Sequence, residues 1–241
     1  MDTVARYFSV VEAEWPERNV GNLRFYLDYL FNGVPLAGRR VLDIGAGDGV
    51  YSFYTAAAGA ERVVALEPEA AGSTPGVTAK FSHMSEVLGL DSVELRPEAF
   101  QDFDPGTERF EVLLLHAVIN HLDESATMRL DRDENARQTY RRLFSKLASM
   151  AVPGAKLIAT DVSCHSLFSR LPLKNPLQPT IEWDKHQPPE TWARLLEDAG
   201  FREPRVRWNS LNTLRRPGRI LLGNRVASWV LGSGFCLTMT L

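Results

Sequence analysis

The chain has 241 residues, of which 44% are hydrophobic and 24% charged, and its formal net charge is −3 at pH 7. This composition is typical of a globular protein, and the charge balance gives no signal for a nucleic-acid or membrane-surface partner. Two cysteines are too few for a disulfide framework or a zinc site, no apolar run reaches the roughly 18–20 residues of a membrane span, and the first residues lack a signal-peptide layout, so we expect a cytoplasmic protein.

Helix-like and strand-like segments alternate along most of the chain. Residues 4–31 carry apolar side chains at helical spacing, with an interruption near Pro16. Further on, helices are predicted at 51–58, 78–88, 134–151, 190–199 and 220–231, and strands at 40–44, 62–67, 93–96, 110–116, 155–161, 203–208 and 235–240. Such alternation indicates an α/β fold with a doubly wound, mostly parallel sheet and helices on both faces.

The stretch VLDIGAGDGVY, residues 41–51, places three glycines between a buried strand and a helix. Glycine permits a tight turn and lets a ligand approach the backbone. A dinucleotide site requires G-x-G-x-x-G, but Val50 stands where the last glycine belongs. Asp43 and Asp48 would also lie beside a pyrophosphate, where like charges are costly. The two acids suit a ligand that carries a positive amino group, although an NAD-dependent oxidoreductase stays open as the alternative.

VLDIGAGDG resembles the first motif of the class I S-adenosylmethionine-dependent methyltransferases. Further stretches resemble this family in the same order: VVALEPE, VELRPEAFQDFDP, FEVLLLHAVINHL and LASMAVPGAKLIATD. The resemblance covers about residues 38–161 and implies a seven-stranded sheet whose last strand is antiparallel. It also implies S-adenosyl-L-methionine as cofactor and S-adenosyl-L-homocysteine as product.

The resemblance also assigns cofactor-binding residues. Glu67 falls where the family's acid takes the two ribose hydroxyls, and a carboxylate has two oxygens that can accept from a diol. Pro68 would lie along the adenine edge, and Tyr7 in a leading helical lid would face the sulfonium through a cation–π contact. The full predicted set is Tyr7, Asp43, Gly45, Ala46, Gly47, Glu67, Pro68, Ala99, Phe100 and His116.

The resemblance implies methyl transfer, and a hydroxyl acceptor would need a general base. Histidine is the natural base near neutral pH. His116, at the end of the fourth strand, His121, which also suits a packing role, and His186 are the catalytic candidates. His83, in the middle of a helix, is interpreted as structural. No cluster has clear metal-ligand spacing, so no metal is predicted.

We interpret residues 1–241 as one methyltransferase domain. It comprises an N-terminal helical lid (1–37), a cofactor-binding core (38–161), an acceptor-side insertion containing Trp183 and His186 (162–189), and a C-terminal helix and strands (190–241). Arg215, Arg216 and Arg219 are interpreted as a solvated surface. The expected acceptor is a small molecule or glycan, with O-methylation favoured and no nucleic acid expected; a non-catalytic cofactor-binding subunit is a further alternative. The sequence predicts no oligomeric state.

Overall fold

The computed structural model describes residues 2–69, 75–171 and 174–241. A few positions of the predicted lid and insertion, residues 1 and 172–173, therefore lie outside the described residues, as do residues 70–74. The chain forms two compact units, Met1–His116 and Ala117–Leu241. The interpretation as one domain with four segments stays a prediction.

The first unit is a parallel α/β arrangement. Its strands pair in the order β3-β2-β1-β4. In the register of β1 and β2, Ile44 lies opposite Leu66, so the residues that follow both strands emerge at the same level. The elements are α1 (Thr3–Glu14), α2 (Val20–Leu30), β1 (Arg40–Ile44), α3 (Val50–Ala57), β2 (Arg62–Leu66), α4 (Val77–Leu88), β3 (Val93–Arg96) and β4 (Phe110–His116).

The second unit contains the antiparallel part of the sheet. Its elements are α5 (Glu124–Thr127), α6 (Glu134–Ser149), β5 (Ala151–Val162), α7 (Leu167–Arg170), a 3-10 helix (Trp183–Lys185), α8 (Pro189–Asp198), β6 (Arg202–Trp208), a second 3-10 helix (Asn212–Leu214), α9 (Arg215–Leu222), α10 (Arg225–Leu231) and β7 (Gly234–Thr240). Strand β7 runs antiparallel to both β5 and β6. The seven strands follow the order β3-β2-β1-β4-β5-β7-β6, which confirms the predicted seven-stranded sheet with an antiparallel last strand.

Local sequence signals explain where many of the helices begin. The side chains of Asp2, Asn19, Asp133 and Asn224 each accept a hydrogen bond from a backbone N–H two or three residues further on. Such caps satisfy N–H groups that have no partner within the helix. Pro189 is the first residue of α8, where its missing N–H costs nothing.

Each unit has its own apolar core. In the first unit, the strand residues Val41, Leu42, Val63 and Leu113 are fully buried. In the second unit, Tyr140, Phe144 and Trp192 pack together, with Tyr140 and Trp192 ring centroids 5.0 Å apart. Cys164, which is half-buried, and Cys236, which is buried, are free thiols. No helix within the described residues is both long enough and apolar enough to cross a membrane.

Most predicted boundaries lie within two residues of those observed, but two predicted elements differ more strongly from the structure. Strand β5 begins at Ala151 rather than at residue 155, so Pro153 and Gly154 lie inside a strand and not in a turn. The strand tolerates Pro153, which has no N–H to donate, because the pairing of β5 with β7 begins only at Lys156. No bond of that ladder therefore requires a donor at position 153. The single helix predicted at 220–231 is instead two helices, α9 and α10, separated by Gly223 and Asn224.

Candidate active site

The glycine turn after β1 is fixed to the end of β2. The N–H groups of Gly45 and Ala46 both donate to the Leu66 carbonyl, each at 2.9 Å. Gly45, Gly47 and Gly49 have φ values of +70°, +56° and +82°, a region that side chains with a Cβ rarely adopt. A Cβ added to Gly47 would meet no atom within 4 Å, so its surface is open. At Gly49 the added Cβ would lie 2.5 Å from the Phe81 ring.

The Glu67 carboxylate lies directly against this turn. Its side chain follows β2 and is only 5% exposed. Oε2 accepts the Gly47 N–H at 2.9 Å, and Oε1 accepts the Glu69 N–H at 3.0 Å. Since each carboxylate oxygen has two acceptor positions, these backbone bonds fix the group and leave it capacity for further donors. Pro68, the next residue, is exposed.

Asp43 carries a buried carboxylate oxygen with no partner. Its side chain is 1% exposed. Oδ2 accepts a 2.6 Å hydrogen bond from Ser52 Oγ, whereas Oδ1 has no partner among the described residues. Burial raises the pKa of Asp43 to about 7; the Ser52 bond opposes that rise and the Glu67 charge adds to it. A buried acceptor without a donor costs free energy, so this oxygen favours a ligand that brings an N–H group or a positive charge.

The other residues predicted for cofactor binding have less distinctive surroundings. Tyr7 is fully buried and donates its hydroxyl to the Val50 carbonyl at 2.8 Å, which joins α1 to the start of α3. Burial raises the pKa of Tyr7 well above its usual value, so the phenol is a neutral donor. Phe100 is buried, and the Ala99 carbonyl accepts the N–H groups of Asp102 and Phe103. Their predicted contacts with a cofactor stay predictions.

His116 ends β4 and lies between two tyrosines. Its Nε2 is 2.8 Å from the Tyr26 hydroxyl, and its ring centroid is 4.1 Å from that of Tyr51. The residue keeps some surface exposure, but the enclosure of its ring by these aromatic neighbours removes water from the imidazole. This desolvation lowers the pKa of His116 to about 4. The imidazole is therefore neutral at pH 7, and one of its nitrogens is already engaged.

His121, in the second unit, lies in a surface ion-pair group. Its Nδ1 is 2.6 Å from Glu124 Oε1, and Lys185 Nζ is 3.2 Å from the other oxygen of Glu124. About half of the His121 side chain is exposed. His121 is therefore placed as the side-chain partner of Glu124, the first residue of α5. His83, on α4, is similarly exposed and lies 2.8 Å from Glu14.

His186 and Asp161 form a largely buried side-chain pair in the second unit. His186 Nδ1 is 2.8 Å from Asp161 Oδ1, and the two side chains are 15% and 2% exposed. Burial raises the pKa of Asp161, and the bond to His186 opposes that rise. The Asp161 carboxylate also accepts the N–H of Val162 at 2.7 Å. The Asp161 carboxylate therefore fixes the orientation of the His186 ring through Nδ1.

A cavity of about 970 Å³ in the second unit is bordered by His186. The segment that carries His186 is tied down on both sides, because Asn120 Nδ2 donates to the Lys185 carbonyl and Gln187 Nε2 donates to the Thr127 carbonyl. Other side chains around the cavity are Met128, Leu130, His165, Trp183 and Asp184. The wall combines apolar and polar side chains with an imidazole that is fixed by a carboxylate. The cavity is large enough for a small organic molecule.

Several residues of these sites are not indicated by any sequence motif. Arg18 forms an ion pair with Asp48 of the glycine turn at 2.6 Å, and its guanidinium lies over the Trp15 ring. Tyr26 and Tyr51 enclose His116. The helical spacing predicts that Tyr26 faces inward, but nothing in the sequence pairs it with His116. Within the described residues, no group of three or more His, Cys, Asp or Glu side chains is placed to hold a metal ion.

Comparison with known proteins gives low but consistent similarity. The tRNA U34 carboxymethyltransferase of Methylococcus capsulatus is 27% identical over 174 residues, which are 71% of this chain and 47% of that protein. The ubiquinone biosynthesis O-methyltransferase of Methylobacterium sp. is 28% identical over 180 residues, 69% of this chain and 61% of that protein. The chain thus matches about half to three fifths of the length of these curated relatives.

Solved structures share the fold. A structure described as an S-adenosylmethionine-dependent methyltransferase of Listeria monocytogenes superimposes with a TM-score of 0.62 at 12% identity, covering 92% of this chain and 99% of that one. One from Mesorhizobium loti gives a TM-score of 0.58 at 13% identity, with 86% and 93% covered. A family model described as a methyltransferase domain matches residues 15–203. The chain therefore belongs to the class I S-adenosylmethionine-dependent methyltransferase family.

Proposed function

We propose that this chain methylates a hydroxyl group of a small molecule or glycan, with S-adenosylmethionine as methyl donor. The hydroxyl acceptor is inferred from the Asp161–His186 pair, which borders the large cavity of the second unit. An alcohol is a poor nucleophile until its proton is removed, so a site for hydroxyl acceptors benefits from a positioned base. A neutral amine acceptor would need no such pair.

Residues of the first unit fit the cofactor. When bound, S-adenosylmethionine supplies a methyl carbon made electrophilic by a positively charged sulfur. Glu67 is fixed against the turn with acceptor capacity for the two ribose hydroxyls, and the open backbone at Gly47 leaves room for close approach. The unpartnered Oδ1 of Asp43 suits the cofactor's amino group. We assign the remaining contacts to Tyr7, Gly45, Ala46, Pro68, Ala99, Phe100 and His116.

We assign the general base to His186. Asp161 accepts from Nδ1 and so holds the imidazole in one tautomer and orientation, which would leave Nε2 to take the proton of an acceptor hydroxyl. Asp161 also stabilises the imidazolium that results, since an opposite charge at hydrogen-bond distance favours the charged form. This division of work requires no metal ion.

The surroundings of His116 and His121 favour other roles. The pKa of His116 is lowered to about 4, so its ring holds a proton only weakly, and its Nε2 is engaged by Tyr26. We assign it to the wall of the cofactor site. His121 lies in an exposed pair with Glu124, where water screens the interaction.

The names of the two curated relatives point to different acceptors. One name specifies O-methylation, which agrees with a hydroxyl acceptor. The other specifies a tRNA base. Both relatives extend well beyond the aligned region, so the proposed hydroxyl acceptor rests on the Asp161–His186 pair.

The test is a methylation assay with purified protein, labelled S-adenosylmethionine and a panel of hydroxylated small molecules, sugars, amines and total tRNA. We expect methyl incorporation into a hydroxylated compound. His186→Gln should lower kcat by about two to four orders of magnitude, while the cofactor dissociation constant from calorimetry stays close to that of the wild type.

His121→Gln is the matched control, because it makes the same chemical change at the exposed histidine. Its kcat should change by less than about threefold. Methylation of an amine or of tRNA alone would refute the hydroxyl acceptor. Loss of activity in His116→Asn combined with full activity in His186→Gln would move the base to His116.

A further inference from the structure

The C-terminal part of the chain is strongly basic, although the whole chain is acidic. All 30 acidic residues lie at or before Glu203, whereas residues 204–241 contain six arginines and no lysine, aspartate or glutamate. Four of these arginines, at 215, 216, 219 and 225, fall on helices α9 and α10. A chain with a net charge of −3 thus carries a local positive charge on two consecutive short helices.

The same two helices expose large apolar side chains. Ile220 is 81% exposed, Leu221 71% and Val226 74%, and Val230 and Leu214 are also exposed. Single exposed apolar residues are normal on protein surfaces, but a set confined to residues 214–230 is a feature of interaction sites. Val226 and Val230 are four residues apart, so they lie on one face of α10.

The charges of this segment are only partly compensated within the protein. Arg215 and Arg216 form no ion pair within the described residues, and both are exposed. Arg225 lies 3.3 Å from Glu190, a pair whose side chains are both at least half exposed. Positive charge next to exposed apolar side chains is the combination that binds an anionic lipid surface, because the guanidinium groups contact headgroups while the apolar groups enter the interface.

We propose that the segment Arg215–Leu231 docks the protein on an anionic lipid surface. A nucleic acid would satisfy the arginines but would leave Ile220 and Leu221 in water, and a neutral apolar partner would leave the arginines without counter-charges. The lipid interface satisfies both. The proposal goes beyond the methyl transfer proposed above and does not depend on it, since it uses neither the cofactor residues nor His186.

Vesicle co-sedimentation of the full chain tests this directly, with vesicles of phosphatidylcholine alone and of phosphatidylcholine and phosphatidylserine in equal parts. We expect binding to the mixed vesicles that falls as salt is raised, and little binding to the neutral ones. The double variant Ile220→Asp/Leu221→Asp should bind at least about tenfold more weakly. Arg216→Glu should lose about fivefold or more, while Arg216→Lys keeps most of the binding.

Arg39→Glu is the matched control, because it changes the net charge by the same amount at an exposed arginine of the first unit. It should leave vesicle binding unchanged, and circular dichroism should show that every variant is folded. Equal losses in Arg39→Glu and Arg216→Glu, or undiminished binding by the double aspartate variant, would overturn the proposal. So would a wild-type dimer in light scattering that the double variant converts to a monomer, which would assign the surface to a second copy of the chain.

Discussion

At the carboxyl end of β2, two backbone N–H groups hold the Glu67 carboxylate, one on each oxygen. In Glu67→Gln, one of these N–H groups would face an amide NH2 instead of an acceptor, and the charge available to ribose hydroxyls would be lost. A hydrogen bond to a charged group contributes about 1.5–3 kcal/mol, so S-adenosylmethionine should bind about thirtyfold more weakly. Isothermal titration calorimetry measures this change.

Glu61→Gln provides the control for Glu67, because it removes an exposed carboxylate just before the same strand. It should bind the cofactor like the wild type. A folded Glu67→Gln protein with an unchanged dissociation constant would remove Glu67 from the cofactor site.

The buried Asp43 makes stability depend on pH in a direction opposite to that of a paired carboxylate. Its pKa is raised from 3.8 to about 7 by burial, so between these values the folded state holds a proton that the unfolded state has released. Asp43 therefore lowers stability as pH rises through this range. Between about pH 5 and about pH 8 the loss should amount to roughly 2–3 kcal/mol. Urea denaturation of the wild type and Asp43→Asn measures it as the difference between their pH slopes.

Equal pH slopes in Asp43→Asn and the wild type would mean that Asp43 is ionised throughout. Because other groups titrate over the same range, only the difference between the two proteins is diagnostic.

At the scale of elements, two glycines of one turn have different tasks. Gly49 is the N-cap residue of α3, and a Cβ at this position would overlap the rings of Phe53 and Phe81. Gly49→Ala should therefore destabilise the fold by about 2–3 kcal/mol. Gly47→Ala meets open space and should cost only about 1 kcal/mol from its positive φ. Denaturation midpoints and cofactor affinities of both variants test this division.

We expect Gly47→Ala to weaken cofactor binding more than it weakens folding, and Gly49→Ala to do the reverse. If Gly47→Ala bound S-adenosylmethionine like the wild type, its open surface would not be a contact surface for the cofactor.

The order of the elements was predictable because hydrophobic periodicity, and glycines at the ends of helices and strands, are local signals. All seven strands were found from them, with most boundaries close to those observed. The start of β5 was missed because Pro153 and Gly154 normally mark a turn, and only the late onset of pairing with β7 makes them acceptable in a strand. The apolar residues of 220–231 continue across Gly223 and Asn224, so the pattern predicts one helix where the chain forms two.

The two sites were predictable to different degrees. The glycine turn and Glu67 follow consecutive strands, and strand ends in a parallel sheet meet at one edge, so their proximity follows from the order of elements. His116 with Tyr26 and His186 with Asp161 are pairs separated by 90 and 25 residues. Periodicity gives the face on which each side chain lies but not its partner, so these contacts required the folded chain.

For the molecule as a whole, the position of the cofactor residues predicts where ligand stabilisation appears. All ten residues assigned to the cofactor lie in the first unit, Met1–His116. At about a hundredfold excess over its dissociation constant, S-adenosylmethionine should add about 2.7 kcal/mol to stability, which raises Tm by roughly 5–10 °C for a chain of this size. Hydrogen exchange should slow most in the amides of residues 45–50 and in those of Glu67 and Glu69, because these backbone groups border the assigned cofactor residues. Amides of β7 that exchange by local opening should change little, and Glu67→Gln should reduce both effects. Protection centred on β7 instead would place the ligand in the second unit and refute the assignment.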